Sequence, residues 1–161
     1  MTQAEKDKII KELQEKLAEA EKIKVDNKRW KPKDGEEYWK VYSDGTVLTR
    51  SQRNDAYDKW AYLTDNCFKT KKEAEEHKKQ IEYTARYKNY IEEHSEPLDW
   101  KDEDQRKYYP GVETIDNKIY VECYNTYKLQ GPIYASSEQI ILDAIKEIGE
   151  DNFKKYVLGV E

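Results

Sequence analysis

The sequence predicts an α+β fold: two ββ(β)α units with mainly antiparallel sheet and helices on one face, plus an N-terminal helical extension. Three observations carry this. One pattern occurs twice, as YWKVY-SDG-TVLTR followed by CFKT-KKEAEEHKKQI, and as VETI-DN-KIYVECY followed by IYAS-SEQIILDAIKEI. Each copy holds a two-residue Asp-Gly or Asp-Asn turn between alternating segments, the signature of an antiparallel hairpin. Each also holds a Thr or Ser followed three residues later by Glu or Gln, a capping box ahead of an apolar seam. An internal repeat organises the whole chain, giving residues 1–27 as an amphipathic helix, 28–95 as the first unit, 96–107 as an acidic linker and 108–161 as the second unit.

In order along the chain, residues 3–25 show apolar positions in steps of three and four: Ile9, Ile10, Leu13, Leu17, Ala20 and Ile23. Charged residues such as Glu12 and Lys16 fill the rest. A lone helix this polar is marginal in water, so it must pack on something. The seam could meet a second copy, the rest of this chain or a foreign partner; we expect foremost that Ile10, Leu13, Leu17 and Ile23 pair with a second copy and make a homo-oligomer, in the first place a dimer. Pro32 and Lys33-Asp34-Gly35 break the chain. Tyr38, Lys40 and Tyr42 then alternate with Trp39 and Val41, and Thr46 to Arg53 returns. Residues 54–64 read as irregular but rich in rings, and Cys67-Phe68 as a brief strand. Thr70-x-x-Glu73 opens a helix to about Glu93. On it Ala74, Ile81 and Ala85 form a stripe expected to face the sheet. Tyr83, Tyr87, Tyr90 and Ile91 form a second stripe, left for the other unit or a partner. Pro110 and Gly111 turn the chain into the second hairpin. Ile133-Tyr134 is its third strand, Ser136-x-x-Gln139 its capping box, and Gly149 its helix C-cap.

Composition narrows the function. Charged residues are 39% and hydrophobic ones 37%, so the 14 Tyr and 4 Trp must supply much of the core. The net charge of −5 argues against direct binding of a nucleic-acid backbone. The polar N-terminus carries no secretory signal, and no apolar run reaches membrane-spanning length, so the expectation is a soluble protein of the cytoplasm. Cys67 and Cys123 form no CxxC pair and are expected as free thiols, buried on strands. His77 and His94, the only imidazoles, read as surface residues. The acids Asp99, Asp102, Glu103 and Asp104 lack the ligand order and glycine of a calcium loop. No phosphate-cradling glycine motif and no catalytic constellation is present. The expectation is therefore no enzyme, no metal and no cofactor.

Behind its charged helix, the chain carries the segments DGEEYW, NCFKTKKEAEEH, GPIYASSEQ and AIKEIGEDNFKKYVLGVE. These resemble a widespread family of small phage and prophage proteins of low-GC Gram-positive bacteria. The resemblance covers nearly all of the chain from Lys31 on. It implies an accessory protein acting in the host bacterial cell against antiviral defence, of the kind that includes anti-CRISPR inhibitors. It brings no functional residues with it. The expected function is non-enzymatic inhibition by binding a defence protein such as a CRISPR nuclease. Alternatives are sequestration of a nucleotide-derived immune signal, degradation of such a signal, or a structural phage role. A protein target calls for exposed Tyr and Trp with an acidic rim. A nucleotide target calls for rings that stack a base, with Arg50, Arg53 or Lys59 on phosphate. Candidate binding residues are Trp30, Arg50, Arg53, Tyr57, Trp60, Tyr62, Tyr83, Tyr87, Tyr90 and Trp100.

Overall fold

The computed structural model describes residues 29–113 and 115–160. The expected N-terminal helix, with Ile10, Leu13, Leu17 and Ile23, lies outside the described residues. The element order is β1 (Glu37–Val41), β2 (Val47–Ser51), α1 (Ala56–Leu63), α2 (Lys71–His94), β3 (Lys107–Glu113), β4 (Lys118–Tyr124), α3 (Glu138–Ile148) and α4 (Glu150–Asn152). α4 runs directly into a π-helical turn, Phe153–Val157. The fold is mixed α+β, with two separate two-stranded antiparallel sheets, β1–β2 and β3–β4.

Both hairpins form at the turns the sequence marks. Gly45 takes φ +80° and Asn117 φ +51°, the left-handed conformations those turns require. Asp44 locks the first turn by accepting from the Thr46 amide and hydroxyl. The expected third strands shrink to single rungs. Trp39 exchanges both backbone hydrogen bonds with Phe68, and Tyr108 does the same with Ala135. In the first case a side chain extends the rung. Asn66 accepts from the Val41 amide at 2.7 Å and donates to the Val41 carbonyl at 2.6 Å. The Asn66 amide thus replaces a strand residue, which is why the segment does not continue as strand.

The second hairpin starts earlier than the sequence suggests. Pro110 and Gly111 lie within β3 and are not an entry turn. Tyr108 spends its backbone groups on Ala135, so by alternation those of Pro110 also point away from β4. Pro110 therefore costs the hairpin no hydrogen bond. The exposed Tyr120 ring lies across Gly111. A Cβ there would sit 2.5 Å from Tyr120 Cζ.

α2 joins the two halves. Thr70 and Glu73 form the expected capping box at its start, and it runs to His94. Its buried residues are Ala74, Tyr87 and Ile91. Of the stripe expected to face the sheet only Ala74 is buried, with Ile81 and Ala85 exposed, whereas the tyrosine stripe packs on the second half, one of the two places expected for it. Tyr87 and Ile91 enter a core with Ile141, Ala144, Ile145, Ile148, Phe153 and Ala135. Tyr87 meets Phe153 edge-on at 4.9 Å, and Tyr83 stacks on Tyr156 at 5.0 Å. The C-terminal turn supplies these rings. It is clasped to α2 by Glu76, which accepts from Tyr156 Oη at 2.9 Å and pairs with Lys155 Nζ at 2.8 Å. Those partners, with Lys79, hold the Glu76 carboxyl down to about 2.

α3 buries the seam the sequence gives it, Ile141, Ala144, Ile145 and Ile148, and stops at Gly149 with φ +87°. Its N-cap is Ser137, not Ser136, and no box with Gln139 forms. Ser136 is used elsewhere. Its hydroxyl accepts from the Glu96 amide and its amide donates to Ser95 Oγ, tying the end of α2 to the start of α3. A smaller cluster of Tyr38, Ala61 and Cys67, with Trp30 against it, holds the first hairpin.

Candidate functional site

The segment read as irregular, residues 54–64, contains a helix that sequence reasoning missed. Asp55 caps α1, and Asp58 completes a capping box at its third position. The signal was available as Asp55-x-x-Asp58, with Asp in place of the usual Glu or Gln. The inward side of α1 sets the Asp58 carboxylate beside apolar Ala61 and half-buried Tyr62, while larger apolar side chains face out. Its buried residues are Asp58 and Ala61. Its outer face carries Tyr57, Trp60 and Leu63, at 72%, 68% and 71% exposure. An amphipathic surface helix normally does the reverse.

This arrangement depends on Asp58. Its carboxylate, with no exposed surface, accepts from Tyr38 Oη at 2.8 Å, Arg50 Nε at 2.8 Å and the Arg53 amide at 2.7 Å. Burial alone would raise its pKa, but these donors outweigh burial and hold it well below the usual carboxylate range. Tyr38 responds in the opposite direction: burial first, then the Asp58 hydrogen bond, pushes its phenol up. Arg50 is held at both Nε and Nη2, the latter by Asp55 at 2.6 Å. A polar anchor beneath α1 thus fixes the helix while its rings face solvent.

Beside this ridge lies a groove of about 670 Å³ between the first hairpin and α2. Lys40, Arg50 and Lys78 line it, with Glu82 as the one carboxylate. Tyr42, Tyr57, Val41 and Ile81 supply its apolar surface. Lys40 Nζ stands 4.7 Å over the Tyr42 ring, and Arg50 Cζ 5.6 Å from the Tyr57 ring.

The other sequence candidates are not gathered here. Trp30 is half-buried on the Tyr38–Ala61–Cys67 cluster. Tyr62 is half-buried under Arg29, 4.2 Å from its ring. Tyr87 is a core residue at 1% exposure, so it offers no surface to a partner. Tyr83 is stacked on Tyr156, and Tyr90 on His94 at 4.0 Å. Trp100 meets Tyr134 edge-on at 4.9 Å and belongs to a column continuing through Tyr109 to Tyr124. Arg53 is exposed. Among the described residues, the charges near the ridge in sequence, Arg53, Asp55, Lys59 and Asp65, are mixed in sign.

The acidic stretch belongs instead to the second hairpin and is an ordered loop. Asp99 and Asp102 accept from backbone amides of that loop. Lys107, fully buried, donates to the carbonyls of Asp102 and Asn125. Among the described residues no group of three or more His, Cys, Asp or Glu side chains is placed to hold a metal ion. No described helix is long and apolar enough to cross a membrane. His77 is half-buried rather than a surface residue. It packs on Phe68 at 4.9 Å, and burial lowers its pKa. Cys67 is buried as expected, whereas Cys123 is exposed.

No protein-family profile, curated protein or solved structure matches the chain.

Proposed function

We propose that this protein is a non-enzymatic binding protein that grips a partner protein with the outer face of α1. The single observation behind this reading is that this helix exposes Tyr57, Trp60 and Leu63 over a buried carboxylate. Exposed Trp and Tyr side chains at adjacent turns are the residue types that dominate binding energy at interfaces. Placing them outside and a carboxylate inside works against stability alone, which is the pattern of a functional surface. The mixed signs of the described charges near the ridge support a partner recognised by apolar contact more than by its positive charge. The sequence resemblance to small phage and prophage proteins supports a partner from bacterial antiviral defence, such as a CRISPR nuclease, acting in the host cytoplasm.

The test is phage survival in strains carrying defined defence systems. The wild-type protein is expected to protect phage in one such strain. Tyr57→Ser with Trp60→Ser is expected to abolish protection while leaving the circular dichroism spectrum unchanged. Undiminished protection by the folded double variant would refute the ridge. Turnover of a cyclic dinucleotide by the purified protein, abolished by EDTA, would refute the non-enzymatic reading.

Two finer features belong to the same proposal. Each hairpin is followed by one antiparallel rung and a helix N-cap two residues later, at Phe68/Thr70 and Ala135/Ser137, which supports reading the halves as copies of one unit. The apolar seam of Ile10, Leu13, Leu17 and Ile23 supports a homodimer. Light scattering on the full chain and on Leu13→Asp with Leu17→Asp should give a dimer and a monomer respectively. A monomeric full chain would remove the seam from the proposal.

A further inference from the structure

We propose that the groove between the first hairpin and α2 binds a small phosphorylated ligand carrying a flat heteroaromatic ring, such as a nucleoside monophosphate. Its phosphate would lie on Lys40 and Lys78 and its ring against Tyr57. This goes beyond the partner-binding reading and stands without it.

Size and shape come first. At about 670 Å³ the groove falls in the range of small-molecule sites. Val41, Ile81, Tyr42 and Tyr57 give it apolar and aromatic surface, Ser43 and Asn66 add neutral polar groups, and a few charged groups converge from three elements. Lys40 comes from β1, Arg50 from β2 and Lys78 from α2. Such convergence sets a site apart from a run of surface lysines on one helix.

The charges are unequal in availability. Arg50 already spends Nε on Asp58 and Nη2 on Asp55, so it contributes a fixed, largely neutralised guanidinium edge. Lys78 pairs loosely with Glu82, at 3.6 Å with both side chains partly exposed. Lys40 has no carboxylate within ion-pair distance among the described residues and rests on the Tyr42 ring. Lys40 and Lys78 are therefore the cations able to take a phosphate, with Glu82 as the anion Lys78 must exchange. Gly45 brings Lys78 close to the hairpin turn: a Cβ there would lie 3.8 Å from its Nζ.

The ring requirement comes from Tyr57. It lines the groove, is 72% exposed, and has the Arg50 guanidinium 5.6 Å from its ring. A base stacked on that ring gains sequence-tolerant π contact. A bare phosphate would gain only the lysines.

Isothermal titration of the full chain with AMP, adenosine and inorganic phosphate tests this. AMP is expected to bind, with adenosine and phosphate each at least about tenfold weaker. Lys40→Gln and Lys78→Gln should each weaken AMP about tenfold, since a hydrogen bond to a charged group is lost. Tyr57→Ala should weaken AMP by a similar factor and leave phosphate unchanged. Lys88→Gln removes the same charge elsewhere on α2 and should change nothing. No AMP binding at about 1 mM overturns the proposal. So does phosphate binding as tightly as AMP, or an equal loss with Lys88→Gln.

Discussion

Replacing Asp58 by Ala tests whether a polar anchor holds α1. The substitution removes three hydrogen bonds of 2.7–2.8 Å, and the longer capping bond from the Asp55 amide, at a side chain with no exposed surface. The Tyr38 hydroxyl, on a side chain at 0% exposure, loses its acceptor, at about 1–3 kcal/mol. The Arg53 amide is left partly buried and unpaired, adding about 1 kcal/mol. Arg50 keeps Asp55 and some contact with water, so its loss is partial, again about 1 kcal/mol. The total, about 3–5 kcal/mol, matches what breaking a buried ion pair usually costs. It is a large share of a stability of about 5–15 kcal/mol. Urea unfolding followed by circular dichroism measures it. Tyr38→Phe in the Asp58→Ala background should recover about 1 kcal/mol, because it removes the stranded hydroxyl. The sign with pH follows from the depressed carboxyl. The Asp58 contribution is complete above about pH 4 and is lost as pH falls below the ordinary carboxylate value. A cost below about 1 kcal/mol for Asp58→Ala, or strictly additive effects of the two substitutions, would refute the anchor.

Three further outcomes follow from the same geometry. Glu76→Gln should loosen the C-terminal turn from α2, and stability should lose its dependence on this group between about pH 4.5, its ordinary value, and about 2, its value here, as measured by urea unfolding at stepped pH. Gly111→Ala should cost under about 1 kcal/mol in urea unfolding, because the exposed Tyr120 ring can move aside; a larger loss, restored by Tyr120→Ala, would mean the ring is held in place. Under native conditions at neutral pH, iodoacetamide should label Cys123 quickly and Cys67 only on unfolding, since burial pushes the Cys67 thiol up to about 11; equal labelling of both would contradict the burial of Cys67.

Much of the fold was legible because local chemistry dictates it. Asp44-Gly45 and Asp116-Asn117 specify tight turns by backbone conformation alone, and hairpins formed there. Thr70 with Glu73, and Ile141 through Ile148, specify helix start and buried seam by short-range spacing, and both held. Of the candidate binding residues, Arg50 and Tyr57 line the groove, and Tyr57 and Trp60 lie on the exposed face of α1. Other features depend on which surfaces meet, and sequence spacing does not encode that. Tyr83, Tyr87 and Ala85 all sit on plausible stripes of α2; only the arrival of Phe153 and Tyr156, some seventy residues later, decides that the tyrosines turn inward. Ser136 and Ser137 are equal as caps until Ser95 and Glu96 claim the first. α1 is the clearest case. Its periodicity points the rings inward, yet Tyr38 and Arg50 across the hairpin supply donors that make a carboxylate the better buried group. The sequence by itself determined the turns, the caps and the α3 seam, because these are settled within a few residues by backbone sterics and hydrogen bonding. Only the tertiary structure decided that Trp60 faces water and Asp58 does not, because the free energy of burying a charge depends on distant partners being already in place.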